Sequence, residues 1–316
     1  MSITTETTRS RSHIAAQDEI DGHGVDTVPH LTSVEFAERY VAKNRPVLIK
    51  RALADSVAFK SWTFDRLRQQ SGSNTVLLKD WRPGGEILTR QSKIAAYLDE
   101  IEQYEVRRAA GDDRARRPAY LHDMPLTSVF PDAAAGLAAF PQNFFPSWYG
   151  ASWTDFAQFF LGPSWSYTPL HFDCLLTHNL FFQLRGRKCF TVLDYDQRNY
   201  CYVHDWRWSA VDPESPDFDM HPLFRHARPQ QVIVEPGDVF FMPSGMLHHV
   251  RSLDAAMSLN VDWHTKSSAA RGILALTQGM PLKNVYYNAL IAFGLWTGAR
   301  RDRIFPYYRS YLNYVS

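Results

Sequence analysis

The run Pro236-Gly237-Asp238-Val239-Phe240-Phe241-Met242-Pro243-Ser244-Gly245-Met246-Leu247-His248 decides the fold. Pro236-Gly237-Asp238 is turn chemistry, Val239 to Met242 is an apolar stretch too short for a helix, and Pro243-Ser244-Gly245 reverses the chain again. His248 then opens the returning strand. Tight turns on either side of a short apolar strand belong to an antiparallel sandwich or barrel, and they place this histidine at the barrel mouth.

Outward from this run the same pattern extends over the second half of the chain. Strands are expected at Asn179–Leu184, Lys188–Asp194, Gln231–Val234, His248–Ser252 and Met257–Trp263. Arg185-Gly186 reads as a hairpin joining the first two, and Pro236–Asp238 as one joining Gln231–Val234 to Val239–Met242. Between Tyr195 and Pro229 lies a polar insert with three prolines, a length of loop that often covers an active site. Its aromatics Tyr195, Tyr200, Tyr202, Trp206 and Trp208 suit either a substrate wall or packing on the barrel.

The first third mixes helices and strands. Residues 1–28 have the polarity of a flexible arm, with order expected from about Leu31. Thr32 and Glu35 form a capping box for a short helix with Val34, Ala37, Tyr40 and Val41 on one face. Pro46–Lys50 reads as a strand. A second helix is expected from Ser92, as cap, to about Val106, with Ala95, Leu98, Ile101 and Tyr104 on one face. Residues 29–266 then form one mainly β domain with flanking helices, and 267–316 a helical extension. In that extension Leu282, Val285, Tyr286, Leu290, Ile291 and Leu295 share a face, which serves a homodimer contact or covers the barrel.

Composition narrows the function. The chain has 316 residues, 45% of them hydrophobic, so it can bury a sizeable core. Its 34 basic and 33 acidic residues leave a formal charge of +1, which makes nucleic acid an unlikely partner and argues against an anionic membrane surface. The basic run Arg107, Arg108, Arg114, Arg116 and Arg117 is interrupted by Asp112 and Asp113 and reads as a solvated loop. Three cysteines without paired spacing suit a reducing, cytoplasmic setting. The residues from Met1 to Gln17 hold no apolar run, and Ala289–Trp296 is too short to span a bilayer.

Chemistry gathers on three segments. His171 and Asp173 lie at i and i+2, so in a strand they project from one face as a chelating pair. With His248 they make a two-histidine, one-carboxylate set suited to non-haem iron(II), leaving positions open for a bidentate co-substrate and dioxygen. Neighbouring His249 should face the other way. Lys188 shares a strand face with Phe190 and Val192; if that face is the interior, its ammonium needs an anionic partner, which a dicarboxylate co-substrate would supply. The strand alone leaves the solvent-facing reading equally open, because Cys189 and Leu193 are also apolar.

Taken in order, Thr168-Pro169-Leu170-His171-Phe172-Asp173, then His178-Asn179 through Arg187-Lys188, then Pro236 to His248, then Asn260 before Trp263, resemble JmjC-type cupin oxygenases over residues 118–265. The likeness is greatest to the branch containing the asparaginyl hydroxylase of hypoxia-inducible factor. The resemblance implies a double-stranded β-helix (cupin, jelly-roll) core, Fe(2+) held by His171, Asp173 and His248, and 2-oxoglutarate and O2 as co-substrates. It also implies that Lys188 pairs with the distal carboxylate of 2-oxoglutarate and that Thr168, Asn179, Asn260 and Tyr120 help bind or order it, with His122 facing substrate. The implied activity is hydroxylation of an amino acid residue in a peptide or protein with release of succinate and CO2; a free amino acid or small metabolite is the second reading. Other readings are a non-catalytic metal-binding scaffold and a cupin chemistry without 2-oxoglutarate. Between Asp173 and Asn179 the chain is two residues longer than the family pattern, so a bulge or wider loop is expected beside the metal.

Overall fold

A computed structural model describes residues 25–81 and 86–312. In chain order the strands are β1 (Asp26–Val28), β2 (Val47–Ile49), β3 (Thr75–Trp81), β4 (Ile87–Lys93), β5 (Tyr120–Pro125), β6 (Ala157–Gly162), β7 (Tyr167–His171), β8 (His178–Arg185), β9 (Lys188–Leu193), β10 (Val203–His204), β11 (Trp208–Ser209), β12 (Gln230–Val234), β13 (Val239–Met242), β14 (Leu247–Ser252) and β15 (Ala256–Trp263). They form two sheets, ordered β1-β2-β13-β8-β15-β6-β5-β3-β4 and β10-β11-β7-β14-β9-β12.

The antiparallel runs β13-β8-β15-β6 and β7-β14-β9-β12 make the expected jelly-roll core. From β6 to β9, and again from β12 to β15, each successive strand passes to the opposite sheet. This corrects two expectations. Arg185-Gly186 is not a hairpin, since β8 pairs with β13 and β15 whereas β9 pairs with β12 and β14. Pro236–Asp238 likewise carries the chain from β12 to β13 across a corner. Turn residues announce a reversal but not whether the next strand pairs with the last.

The two corners are bonded to each other. Gly237 N–H donates to Gln183 O at 2.8 Å and Gln183 N–H to Asp238 O at 3.1 Å. The Gln183 amide donates to Arg185 O and Gly186 O at 2.7 and 2.8 Å. Gly186 needs to be glycine: its φ is +65°, and a Cβ would lie 2.2 Å from Ala255 O.

Around the core, the capping box of Thr32 and Glu35 is present, but Phe36 and Tyr40 are buried while Val34 is exposed. A wide π-helical turn over Phe36–Val41 re-phases the face. Asp26–Val28, placed by its polarity in the arm, is a strand paired in parallel with β2; residues 1–24 of that arm lie outside the described residues. The second helix runs over Ile94–Ala109, with Ser92 inside β4 rather than capping it and Lys93 making no side-chain cap. Leu98, Ile101 and Tyr104 are buried on it as expected.

The helix Leu282–Thr297 packs between Lys266–Leu274 and Arg301–Leu312, burying Tyr287, Ile291 and Leu295 but leaving Leu282 and Tyr286 exposed. No helix among the described residues is long and apolar enough to cross a membrane. Arg107 and Arg108 pair with Asp112 and Asp113 at an exposed loop. The insert packs on the barrel, with Cys201, Val211 and Phe224 in one cluster with Leu170, Phe172 and Leu193. Through β11 it also extends the smaller sheet beside β7.

Candidate active site

His171 ends β7 and faces His248 on β14 in register, with their ring centroids 4.3 Å apart. Asp173 follows in the turn after β7. One ligand atom from each of the three lies within 4.8 Å of the others, a group able to hold a metal ion. His171 Nδ1–H donates to Pro169 O at 2.7 Å and His248 Nδ1–H to Met246 O at 3.0 Å, which leaves each Nε2 lone pair free for a metal. Burial, then the neighbouring His248, pushes the His171 pKa well below its usual value, so the ring is neutral and its Nε2 lone pair is not taken by a proton. Asn179 Nδ2 donates to Asp173 Oδ2 at 3.2 Å and orients the carboxylate. Two imidazoles and one carboxylate on one side of a cavity fit iron(II) with open positions. His249 points away and lies beside Tyr167.

The extra residues after Asp173 are absorbed as a tight turn. Leu176 N–H donates to Asp173 O at 2.8 Å, and Leu176 takes a left-handed φ of 58°. Ser244 Oγ donates to Leu176 O and fixes the turn. Asn179 therefore still enters the cavity from β8.

Lys188 is on the interior face. It is 1% exposed, and its Nζ donates to Tyr120 Oη at 2.7 Å and Ser258 Oγ at 2.9 Å. Hydroxyls take two of its three N–H groups but do not balance its charge, and burial lowers its pKa to about 7. Thr168, Asn260 and Tyr120 line the same cavity as Lys188 and the metal-capable group. Asn260 Nδ2 donates to Asp262 Oδ1 at 3.3 Å, while the amide oxygens of Asn179 and Asn260 are buried with no partner. The uncompensated ammonium fits an anionic group in the cavity, and the orphaned acceptors call for donors such as water.

Several polar residues in and behind the cavity were not singled out from sequence. Ser258 and Asp262 could have been, because with Asn260 they alternate along one face of β15. Lys79, fully buried on β3, lies 3.7 Å from Asp123, whose carboxylate is 2.9 Å from His122 Nδ1. Burial alone would raise the Asp123 pKa, but His122 and Lys79 outweigh it and hold it below the usual range. Burial lowers His122 to about 4. Asp123 sits at φ 60° in a register shift between β5 and β6, and a bulge of this kind can turn neighbouring side chains toward one cavity. Asp262 is shifted the other way, well above the carboxylate range, by burial and then by Asp173. Arg207, on the insert, also lines the cavity; its irregular surroundings carry no periodic signal.

Comparison with known proteins agrees with this architecture. The cupin-like domain family matches residues 33–269. The chain is 23% identical over 258 residues to the 2-oxoglutarate and iron-dependent oxygenase JMJD4 of Gallus gallus, covering 76% of this chain and 59% of that protein. It is 26% identical over 267 residues to tRNA wybutosine-synthesizing protein 5 of Gallus gallus, covering 76% of each. With lysine-specific demethylase 8 of Xenopus tropicalis it shares 25% over 255 residues, 74% of this chain and 52% of that one. The chain thus spans little more than half the length of two of these three relatives. Their names differ in substrate, and likeness to the hypoxia-inducible-factor asparaginyl hydroxylase is a loose analogy. The chain belongs to the cupin-like domain family, and its relatives include JmjC oxygenases dependent on 2-oxoglutarate and iron.

Proposed function

We propose that this chain is an iron(II)- and 2-oxoglutarate-dependent oxygenase that hydroxylates a C–H bond of an amino acid residue in a peptide or protein, with release of succinate and CO2. One observation carries the reading: the group His171, Asp173 and His248 opens on the same cavity as Lys188, a buried ammonium bonded only to hydroxyls. A metal alone would not call for Lys188, whereas a metal-chelating dicarboxylate uses both.

In this reading His171, Asp173 and His248 hold iron(II), and Lys188 with Tyr120 and Thr168 takes the distal carboxylate of 2-oxoglutarate. Bound iron(II) supplies the activation of dioxygen coupled to decarboxylation of 2-oxoglutarate. The chain's own residues position and exclude. Pro169 O and Met246 O hold the two imidazole tautomers, Asn179 orients Asp173, and Asn260 presents its buried amide oxygen to the cavity. The buried apolar side chains Phe160, Phe181 and Phe190 line the cavity with them and limit water.

A free amino acid or small metabolite is the second reading, favoured by Arg207, a buried guanidinium suited to a small acid. One relative is named for a tRNA modification, but the nearly balanced charge of this chain does not favour nucleic acid. Three buried cysteines outside any disulfide suit a reducing, cytoplasmic location. The test is succinate release from 2-oxoglutarate with iron(II), ascorbate and air, with a peptide and amino acid panel. Turnover that needs iron and is lost in His171→Ala supports the reading. A protein that binds neither iron(II) nor 2-oxoglutarate refutes it.

A further inference from the structure

Arg207 is 8% exposed and lines the cavity that holds His171 and His248. Its guanidinium lies 4.4 Å over the Trp208 ring, and that ring is 4.9 Å from the His171 ring. Among the described residues no carboxylate lies within ion-pair distance of it and no side chain or carbonyl accepts from its guanidinium at hydrogen-bond distance; only its backbone carbonyl is bonded, to Phe172 N–H. Asp123 and Asp262 lie near enough to feel its charge, but neither bonds to it, so the five donors of its planar fork remain available to a ligand in the cavity.

The backbone that delivers it is strained. Asp205 and Trp206 take φ of 47° and 75°, a region that bulky side chains avoid. Two bonds hold this tip in place. Trp206 Nε1–H donates to Cys174 O at 2.8 Å, and Phe172 N–H donates to Arg207 O at 3.3 Å. Cys174 and Phe172 flank Asp173, so the tip is tied to the segment bearing two of the three metal-capable residues. Strain of this kind persists where the surroundings over-determine it, often at ligand-binding positions.

Other charges of the cavity are already engaged. Asp123 is held by His122 and Lys79, Asp262 accepts from Asn260, and Lys188 is bonded to Tyr120 and Ser258. We propose that Arg207 binds a carboxylate of the primary substrate, through the planar fork that matches it, beside the metal. This rests on the oxygenase reading, in which Lys188 serves the co-substrate. The carboxylate comes from one of two sources: the α-carboxylate of a free amino acid, or an acidic side chain in a peptide.

The test uses the full chain loaded with Mn(II) in place of iron(II) and N-oxalylglycine in place of 2-oxoglutarate, with uptake of each measured first. Failure to take up either overturns the oxygenase reading and this proposal with it. Alanine, N-acetyl-aspartic acid amide and the neutral N-acetyl-alanine amide are then titrated by calorimetry. A carboxylate probe should bind and the neutral one should not, alanine marking a free amino acid and the aspartyl probe an acidic residue. In Arg207→Gln the dissociation constant should rise about tenfold or more, with N-oxalylglycine affinity held, and Arg207→Lys should fall between. Equal binding by Arg207→Gln, equal binding of the neutral probe, or no binding of either carboxylate overturns the proposal. Loss of N-oxalylglycine uptake in Arg207→Gln also overturns it, since the guanidinium would then belong to the co-substrate.

Discussion

Lys188 Nζ donates to Tyr120 Oη at 2.7 Å across the gap between β9 and β5, strands of different sheets. Ser258 Oγ, on β15, takes a second of its protons. Three strands thus converge on one ammonium in the barrel interior. Tyr120 is also buried, and burial raises its pKa well above the phenolic range, so it remains a neutral hydroxyl that can accept from Lys188 and donate to a carboxylate.

Replacing this ammonium should separate co-substrate binding from metal binding. Lys188→Met is expected to weaken 2-oxoglutarate about tenfold to a hundredfold, the range for a lost charge-assisted hydrogen bond, while Mn(II) affinity holds. Calorimetry with each ligand checks it.

The same residue gives a pH dependence. Its folded pKa of about 7 lies below the usual lysine value, so above about pH 7 the native protein sheds a proton that the unfolded chain keeps. Stability of the ligand-free protein should therefore rise with pH from about 7 toward the usual lysine range, and Lys188→Met should lose that increment. Affinity for 2-oxoglutarate should move the opposite way, falling as pH rises above about 7, because binding needs the charged form. Thermal melts and titrations at matched pH read both slopes.

Metal binding should stabilise the fold, since the group is assembled only in the native state. Saturating Mn(II) is expected to raise Tm by several degrees in the native sequence and not in His171→Ala or Asp173→Ala. An equal rise in all three would place the ion elsewhere.

Much of this site is legible in the sequence because it obeys period-two alternation. Val239–Met242 is a strand with the expected ends, and Lys188 shares its face with Phe190; the pair His171 and Asp173 departs from the expected single strand face, because β7 ends at His171 and Asp173 reaches the site from the turn beyond it. What escapes is what depends on distant chain. Whether Arg185-Gly186 closes a hairpin or turns a corner is set by β13 and β15, which claim the edges of β8. Ser92 has the chemistry of a cap, yet pairing with Val76 keeps it in β4. Arg207 carries no local mark, because irregular backbone brings it to the cavity, and Lys79 carries none because its role depends on Asp123 of the neighbouring strand.

The corner at Gly186 offers a stability test independent of chemistry. Gly186→Ala must hold a left-handed φ and push a methyl against Ala255 O. The backbone penalty alone is roughly 1–2 kcal/mol, and the contact adds to it. Chemical denaturation should show a loss of at least about 2 kcal/mol, and Gly111→Ala, also at positive φ but with nothing within 4 Å, should lose less.

Trp206→Phe tests how the insert is held. Phenylalanine keeps the ring that packs edge-on to Phe172 at 5.4 Å but removes the indole N–H that bonds Cys174 O. The loss should be about 1 kcal/mol of stability or somewhat more, the cost of a broken hydrogen bond with a carbonyl left behind. Because φ at Trp206 is 75°, the tip then has an incentive to relax out of the left-handed region and draw Arg207 away from Trp208. The variant should therefore weaken a carboxylate probe while Mn(II) uptake holds, since His171, Asp173 and His248 are positioned by β7, β14 and the turn after β7 rather than by the insert. Equal loss of both would mean that the insert also braces Asp173 through Cys174, and calorimetry with Mn(II) and with the carboxylate probe distinguishes the two cases.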